Sequence, residues 1–140
     1  MTSSSAAAEL AERFGATGDT DSMGYLFGPV DEGNHRMWHA LEADEPDQAA
    51  GIARGVSPER HPFPVNRTAY WTHYGRALVR LRGRRDDAMM ALRTAEDLFP
   101  ARVRRDPIVR EVLAGLLTRV RRDAVSQELR GMAFRAGLPT

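Results

Sequence analysis

The chain has 140 residues, no cysteine, and 20 basic residues against 19 acidic ones, which gives a formal net charge of +1. This length is enough to bury a hydrophobic core, and the lack of cysteine excludes disulfides, thiolate zinc sites and cysteine nucleophiles. No stretch is long and apolar enough to span a bilayer. Met1–Ala8 lacks the basic start and apolar run of a signal peptide, which predicts a cytoplasmic location.

The charge is distributed unevenly along the chain. Through Asn66, four arginines stand against eleven acidic residues (net −7), whereas from Arg67 onward sixteen arginines stand against eight (net +8). Such asymmetry is typical of a face that binds nucleic acid or an acidic partner. The arginines are interleaved with Asp and Glu, however, which favours ordinary solvated helices over a continuous basic surface. Both interpretations stay open.

The first part of the chain is predicted to be a short helix followed by a loop. Ala6–Phe14 has helical spacing of its apolar residues, and Gly15 is a helix stop. Ala16–Met23 is rich in Gly, Thr, Asp and Ser, which is typical of a loop. We therefore expect a short helix and flexible polar loop in residues 1–23, and one helical domain in residues 24–140.

In that domain, apolar residues at helical spacing alternate with breaks at short intervals. Five of the predicted helices are Asp31–Ala43, Pro46–Val56, Asn66–Arg82, Arg85–Phe99 and a last one from Ser126 as cap to Gly137 as stop. A further helix is predicted to start at Asp106 and Pro107, and it carries a broad apolar face from Ile108 to Val120. The three prolines of Pro58–Pro64 predict an extended connector. No useful length of sequence alternates with period two. The sequence therefore predicts an all-α fold of about six to seven helices.

The pair of helices on either side of Gly83 resembles a tetratricopeptide hairpin. The matching positions are Trp71, Tyr74, Gly75 and Leu78 in the first helix and Ala88, Leu92, Ala95 and Pro100 in and after the second. Gly75 and Ala88 are small enough for two helices to approach closely, and aromatic residues fill the space beside them. The preceding pair follows the same scheme with a shorter second helix. We therefore expect tetratricopeptide-like helical hairpin repeats.

Three segments carry a more specific resemblance. They are FGPVDEGNHR (Phe27–Arg36), GRRDDAMMALRTAEDLFPARVRRDPIVREVL (Gly83–Leu113) and ELRGMAFRAGL (Glu128–Leu138). Together they resemble the C-terminal region of actinobacterial helix-turn-helix transcriptional regulators of the Xre (Cro/cI-like) family. The resemblance implies a tetratricopeptide-like array that, in the family, follows a DNA-binding domain.

The chain departs from this family in two ways. Where the family usually reads Phe-Gly-Pro-Thr-Asn, the chain has Val30 and Asp31, which removes any ligand contact that the asparagine would make. The residues before Gly24 are also too few and too polar to form a helix-turn-helix. We therefore expect no sequence-specific DNA binding by this chain alone.

Six residues are the candidate binding residues. They are His35, Trp38, His39, His73, Arg76 and Arg80. They lie on the first helices of two adjacent predicted hairpins, which stacked hairpins turn toward a concave groove. The two arginines suit a carboxylate or an acidic peptide through forked hydrogen bonds, and the histidines would make such binding pH-dependent near neutrality. A solvated helix face explains the arginines equally well.

The aromatic and histidine residues also have simpler explanations. His35 and His39 have the spacing of a metal-ligand pair, but no HExxH pattern or second ligand pair accompanies them, so we expect no metal and no other cofactor. We assign Trp71 and Tyr74 to the core. Trp38 and Tyr70 suit either the core or an aromatic wall for a ligand.

The leading functional hypothesis is a partner-binding or ligand-sensing helical-repeat module related to the regulatory region of a transcriptional regulator. Its partner would be a protein or peptide, acidic if the arginines bind it, or a small ligand in the concave groove; a membrane is not expected as a partner, and a homodimer is compatible with the pattern. No phosphate-binding loop or ordered catalytic triad is present, so we expect no enzyme. The alternatives are a small-molecule-binding protein or cryptic enzyme that uses the aromatic, His and Arg groove, and a non-specific nucleic-acid binder that uses the Arg-rich half.

Overall fold

The computed structural model of the protein describes residues 28–119 and 124–139. These residues form seven α-helices and a 3-10 turn, with no β-strand among them, so the all-α prediction is confirmed for this part of the chain. The helices are α1 (Pro29–Glu42), α2 (Pro46–Arg54), α3 (Pro64–Leu78), α4 (Arg85–Leu98), α5 (Pro100–Arg105), α6 (Pro107–Leu117) and α7 (Ala124–Arg135). The predicted helix Ala6–Phe14 and loop Ala16–Met23 lie outside the described residues.

Proline begins most of these helices. It stands in the first turn of α1, α2, α3, α5 and α6, where no intrahelical hydrogen bond needs its missing N–H. For this reason α3 starts at Pro64, two residues before the predicted Asn66, and the connector before it contains the 3-10 turn Pro58–Arg60. Pro100 ends α4 as expected, but it also starts α5, a six-residue helix that the sequence pattern does not predict.

Other helix boundaries follow from caps and glycines. The Asp106 side chain accepts a hydrogen bond from the Ile108 N–H at 2.9 Å, which confirms the predicted start of α6. Gly83 and Gly137 have φ angles of +75° and +79°, in the left-handed region that favours glycine. Gly137 therefore ends the α7 segment as predicted, whereas α3 ends at Leu78 and a turn leads from it to Gly83.

The helices α3 and α4 approach each other closely at Gly75. A Cβ atom at Gly75 would lie 2.9 Å from two side-chain atoms of Leu92 and 3.4 Å from the carbonyl oxygen of Ala88. Ala88 itself is fully buried. The predicted close contact is therefore confirmed. Trp71 and Tyr74 are partly buried against the core of this hairpin, in agreement with their assignment to the core.

The helices pack in sequence along the chain. α1 contacts α2 and α3, α2 contacts α3, and α3 packs most extensively on α4. α5 connects α4 to α6, which packs on α7 and touches α3, while α7 also contacts α4. Tyr70 is buried, and its hydroxyl donates a hydrogen bond to the carbonyl oxygen of Ala53 at 2.7 Å, so it belongs to the core. No helix within the described ranges is both long and apolar enough to cross a bilayer.

A buried carboxylate connects α4, α5 and α7. Glu96 accepts hydrogen bonds from Nη2 and Nε of Arg135 at 2.8 and 3.0 Å, and from Nε of Arg104 at 3.3 Å. Burial by itself would raise the pKa of Glu96, but the hydrogen bonds from Arg135 and Arg104 and the attraction of their charges outweigh it and lower the pKa. The carboxylate is therefore charged at neutral pH and holds three helices together.

Candidate ligand-binding cleft

Three of the predicted binding residues lie on α1 and are exposed. Trp38 exposes 42% of its surface, and His35 and His39 are exposed beside it. The two Nε2 atoms of the histidines are 3.0 Å apart, so one ring donates a hydrogen bond to the other, and the His39 ring also lies 5.2 Å from the Trp38 ring. No group of three or more potential metal ligands occurs in the part of the chain that the structure describes.

Arg76 on α3, and Arg80 just after it, are bound to the C-terminal end of α1. Nη2 of Arg76 lies 3.4 Å from Oε1 of Glu42, and Arg80 forms an ion pair with Asp44. α1 and α3 also pack directly on each other, and a ligand-binding groove between these two helices stays a prediction. The cavity that Arg76 and Arg80 line lies between α3 and α6.

This cavity, which we call the α3–α6 cleft, is open to solvent and has a volume of about 590 Å³. The α3 side contributes Arg76, Val79 and Arg80. The α6 side contributes two rows of residues at four-residue spacing, and these are Ile108, Val112 and Leu116, and Glu111, Gly115 and Arg119. Four residues make about one helical turn, so the members of each row that belong to α6 share one face of it, and Arg119 lies in the turn after its C-terminal end. The predicted residues His35, Trp38, His39 and His73 are not part of this lining.

The cleft explains why the apolar face of α6 is broader than a core requires. Val109, Leu113 and Leu116 are buried. Ile108 and Val112 are only partly buried and give the cleft an aliphatic surface. The chemistry of the cleft therefore combines aliphatic contacts with guanidinium groups and one carboxylate.

His73 is partly buried on α3 and is electrostatically coupled to Arg76 and Asp106. Burial, and to a smaller extent repulsion from Arg76, lowers the pKa of His73 to about 4, against a weaker opposite effect of Asp106. The ring is therefore uncharged at neutral pH. Because desolvation lowers its pKa, His73 does not change its charge near neutrality, and the pH dependence of binding stays a prediction.

A polar network that the sequence pattern does not predict joins the start of α1 to the start of α3. Nδ1 of the buried His61 accepts a hydrogen bond from the Phe63 N–H at 3.1 Å, so Nε2 carries the proton and donates to Oδ2 of Asp31 at 3.1 Å. Nδ2 of Asn66 donates to the other oxygen of Asp31 at 2.7 Å, and Nδ2 of Asn34 donates to the carbonyl oxygen of Asn66 at 3.1 Å.

Both ring nitrogens of His61 are used within the protein, so this network positions helices and offers no free base. Asp31, which replaces the asparagine usual in the resembling regulators, serves here as the acceptor for two side chains. One feature of the sequence could have indicated this network, namely that His61 lies in the proline-rich connector Pro58–Pro64. A short, stiff connector holds its side chains against the helices that it joins.

Comparisons of the chain with protein-family models, with curated proteins and with solved structures find no match. The inference of function therefore depends on the chemistry of the cleft and on the sequence resemblance described above.

Proposed function

We propose that the protein is a tetratricopeptide-like module that binds a ligand or partner in the α3–α6 cleft and performs no catalysis. The observation that carries the proposal is the cleft itself, which has about 590 Å³ and an aliphatic wall beside three arginines, Arg76, Arg80 and Arg119. Small-molecule and peptide sites in proteins have this size and this combination of apolar surface with a few polar groups.

The order of helix contacts supports a repeat architecture. Consecutive helices contact each other in three pairs, α1–α2, α3–α4 and α6–α7. The short α5 lies between the second and third pairs. The first helices of the pairs touch in series, α1 with α3 and α3 with α6, while α4 touches α7. In a stacked array of hairpins, first helices line one side of the array. On this interpretation the cleft lies between the first helices of the second and third repeats.

The lining favours binding over chemistry. Guanidinium groups hold carboxylates or carbonyl oxygens, and aliphatic side chains hold apolar groups. Among the described residues that line the cleft, Glu111 is the one carboxylate, and no histidine stands beside it to form an acid–base pair. The guanidinium groups and the aliphatic surface can hold and orient a ligand.

Some arginines of the Arg-rich half form ion pairs within the described residues, which lowers the basic charge that this half offers to nucleic acid. Arg93 pairs with Asp97 and Glu128, and both Arg104 and Arg135 pair with Glu96. Paired guanidinium groups are less available to phosphates than a continuous unpaired basic surface. A relation to the regulatory region of Xre-type regulators, without specific DNA binding by this chain, accords with this distribution.

The test fills the cleft without damaging the fold. A Cβ atom at Gly115 would meet nothing within 4 Å, so Gly115→Leu should place its side chain in the cleft and leave the helix intact. Gly51→Leu on α2 is the matched control, because a Cβ atom there would meet only the Arg54 guanidinium at 3.8 Å, far along the chain from the cleft. The probe is anilinonaphthalene sulfonate, which combines an apolar body with an anionic group.

We expect the wild type and Gly51→Leu to bind the probe equally and Gly115→Leu to bind it at least about tenfold more weakly, since the inserted side chain occupies the site. Arg119→Ala should also weaken binding. Replacement of Arg76 or Arg80 would in addition remove an ion pair with Glu42 or Asp44, so Arg119 is the better position for this test. Equal probe binding by wild type and Gly115→Leu would refute the cleft as the binding site.

A further inference from the structure

His35 and His39 form a convergent pair on the exposed side of α1. Their Nε2 atoms are 3.0 Å apart, whereas the centroids of the two rings are 4.3 Å apart. The rings therefore approach each other through their Nε2 atoms and diverge behind them. The four-residue spacing puts both side chains on one face of the helix, but the spacing alone does not predict a metal. What the structure adds is the convergence of two nitrogen atoms that can both act as ligands.

The rest of α1 holds this pair in place. Met37 and Leu41 each follow one of the histidines by two residues, which places them on the opposite side of the helix, and both are buried in the core. Both histidines are exposed, so a dissolved ion can reach them. The two ligands are thus brought together when the helix folds and packs, and an ion that binds them loses less free energy in ordering the site.

The separation of the two nitrogens indicates which metal suits the pair. First-row metal ions bind an imidazole nitrogen at about 2.0–2.1 Å. An ion bound in this way to two nitrogens 3.0 Å apart makes an N–metal–N angle of about 95°, close to the right angle of a square-planar or tetragonal site. A tetrahedral ion such as Zn²⁺ would need nitrogens about 3.3 Å apart. Cu²⁺ prefers the tetragonal geometry and also binds nitrogen ligands most tightly among the divalent first-row ions.

We propose that His35 and His39 form a Cu²⁺-binding site on α1, with both Nε2 atoms as ligands and water in the remaining positions. Without metal, one ring donates its Nε2–H to the other ring. When Cu²⁺ binds, the donating ring carries this proton on Nδ1 instead, so both Nε2 lone pairs face the metal and no proton is released. Neither histidine lines the α3–α6 cleft, so this site goes beyond the proposed function.

Trp38 provides a reporter for the site, because its ring lies 5.2 Å from the ring of His39 and bound Cu²⁺ quenches the fluorescence of a nearby tryptophan. The experiment titrates the full chain with copper chloride in a buffer that does not bind copper, and follows both fluorescence and heat. We expect one Cu²⁺ per chain in the wild type, bound more tightly than Zn²⁺. His35→Gln and His39→Gln should each weaken Cu²⁺ binding about a hundredfold, since a single ligand then replaces a chelating pair. Trp38→Phe should bind Cu²⁺ like the wild type with most of the quenching lost.

Two control variants separate the pair from the histidine content of the chain. His73→Gln removes a histidine that is partly buried on α3, and it should bind Cu²⁺ like the wild type. Arg36→His combined with His39→Gln keeps the total of four histidines but puts two of them at neighbouring positions, which do not face each other on a helix. This double variant should bind as weakly as His39→Gln. Far-UV circular dichroism of each variant checks that the helices remain folded.

Several results would overturn the proposal. They are an absence of quenching in the wild type, unchanged Cu²⁺ affinity in His39→Gln, and recovery of the affinity when Arg36→His is added to His39→Gln. Tighter binding of Zn²⁺ than of Cu²⁺ would overturn the assignment of the metal. Gly115→Leu alters only the cleft and should bind Cu²⁺ like the wild type, so the two proposals succeed or fail separately.

Discussion

The replacement of Gly75 by alanine separates the local preference of a helix from the packing of the α3–α4 hairpin. In a helix interior, Gly→Ala stabilises the protein by about 0.5–1 kcal/mol, because alanine loses less backbone entropy on folding. The same replacement at Gly51 adds a methyl group whose nearest neighbour is the Arg54 guanidinium at 3.8 Å, so the helical gain should appear there undiminished.

At Gly75 the added methyl group meets a rigid neighbour. It would lie 2.9 Å from both Cγ and Cδ2 of Leu92, a separation at which atoms must move, and 3.4 Å from the carbonyl oxygen of Ala88. Leu92 cannot withdraw easily, since it is 1% exposed and packs within the core that includes Met89 and Val103. Overpacking of this kind costs about 1–3 kcal/mol, which exceeds the helical gain. We expect a net destabilisation of about 1 kcal/mol.

The assay is urea unfolding followed by far-UV circular dichroism, with the wild type, Gly75→Ala and Gly51→Ala compared at equal m-values. A loss of about 1 kcal/mol corresponds to a decrease in Tm of about 4 °C for a domain of this size. In a Leu92→Ala background the penalty of Gly75→Ala should disappear, because the two changes share one contact. Equal stabilisation by Gly75→Ala and Gly51→Ala in the wild-type background would refute the close approach of the two helices.

Three further predictions concern buried polar groups. Tyr70→Phe should lower the free energy of unfolding by about 1–2 kcal/mol, since it leaves the buried carbonyl oxygen of Ala53 without its donor, and urea unfolding would detect the change. Glu96→Gln should lower the free energy of unfolding by about 1–3 kcal/mol. Because the pKa of Glu96 is lowered in the fold, the carboxylate stabilises the fold above its unfolded pKa of about 4.3, and this stabilisation is lost as the pH falls further. Wild type and variant should therefore become equally stable in acid, and a difference in stability that does not change with pH would contradict this account. The pKa of His73 is lowered to about 4 in the folded state, whereas the unfolded state binds a proton at this histidine below about pH 6.5. The free energy of unfolding should therefore decline from about pH 6.5 toward pH 4. His73→Gln should make stability depend less on pH in this range.

Several features of the fold could be predicted from the sequence because they depend on neighbours a few residues apart. The start of α6 at Asp106 and Pro107 and the stop at Gly137 follow from capping chemistry, which acts within one turn of a helix. The small size of Gly75 and Ala88 predicted the close contact of one hairpin, since their helices are also adjacent in sequence. Pro100 was misleading because a proline that ends one helix can equally begin the next.

The candidate site was less predictable, because it combines residues that are far apart in the chain. Periodicity placed Arg76 and Arg80 on one face of a helix but could not show which helix that face meets. The ion pairs with Glu42 and Asp44 span more than thirty residues, and they connect α3 to α1 while α6 forms the other wall of the cleft.

The sequence by itself determined the all-α class of the described residues, the approximate positions of six of their seven helices and the small residues at which one hairpin closes, since these depend on short-range propensity, capping and side-chain volume. Only the tertiary structure decided that Tyr70 is buried while Trp38 is exposed, that Glu96 is enclosed by two arginines, and that Gly115 faces an open cleft. The same helical spacing serves a core face and a ligand-binding face equally well. The difference between them arises from the partner helix that packs, or does not pack, against each face.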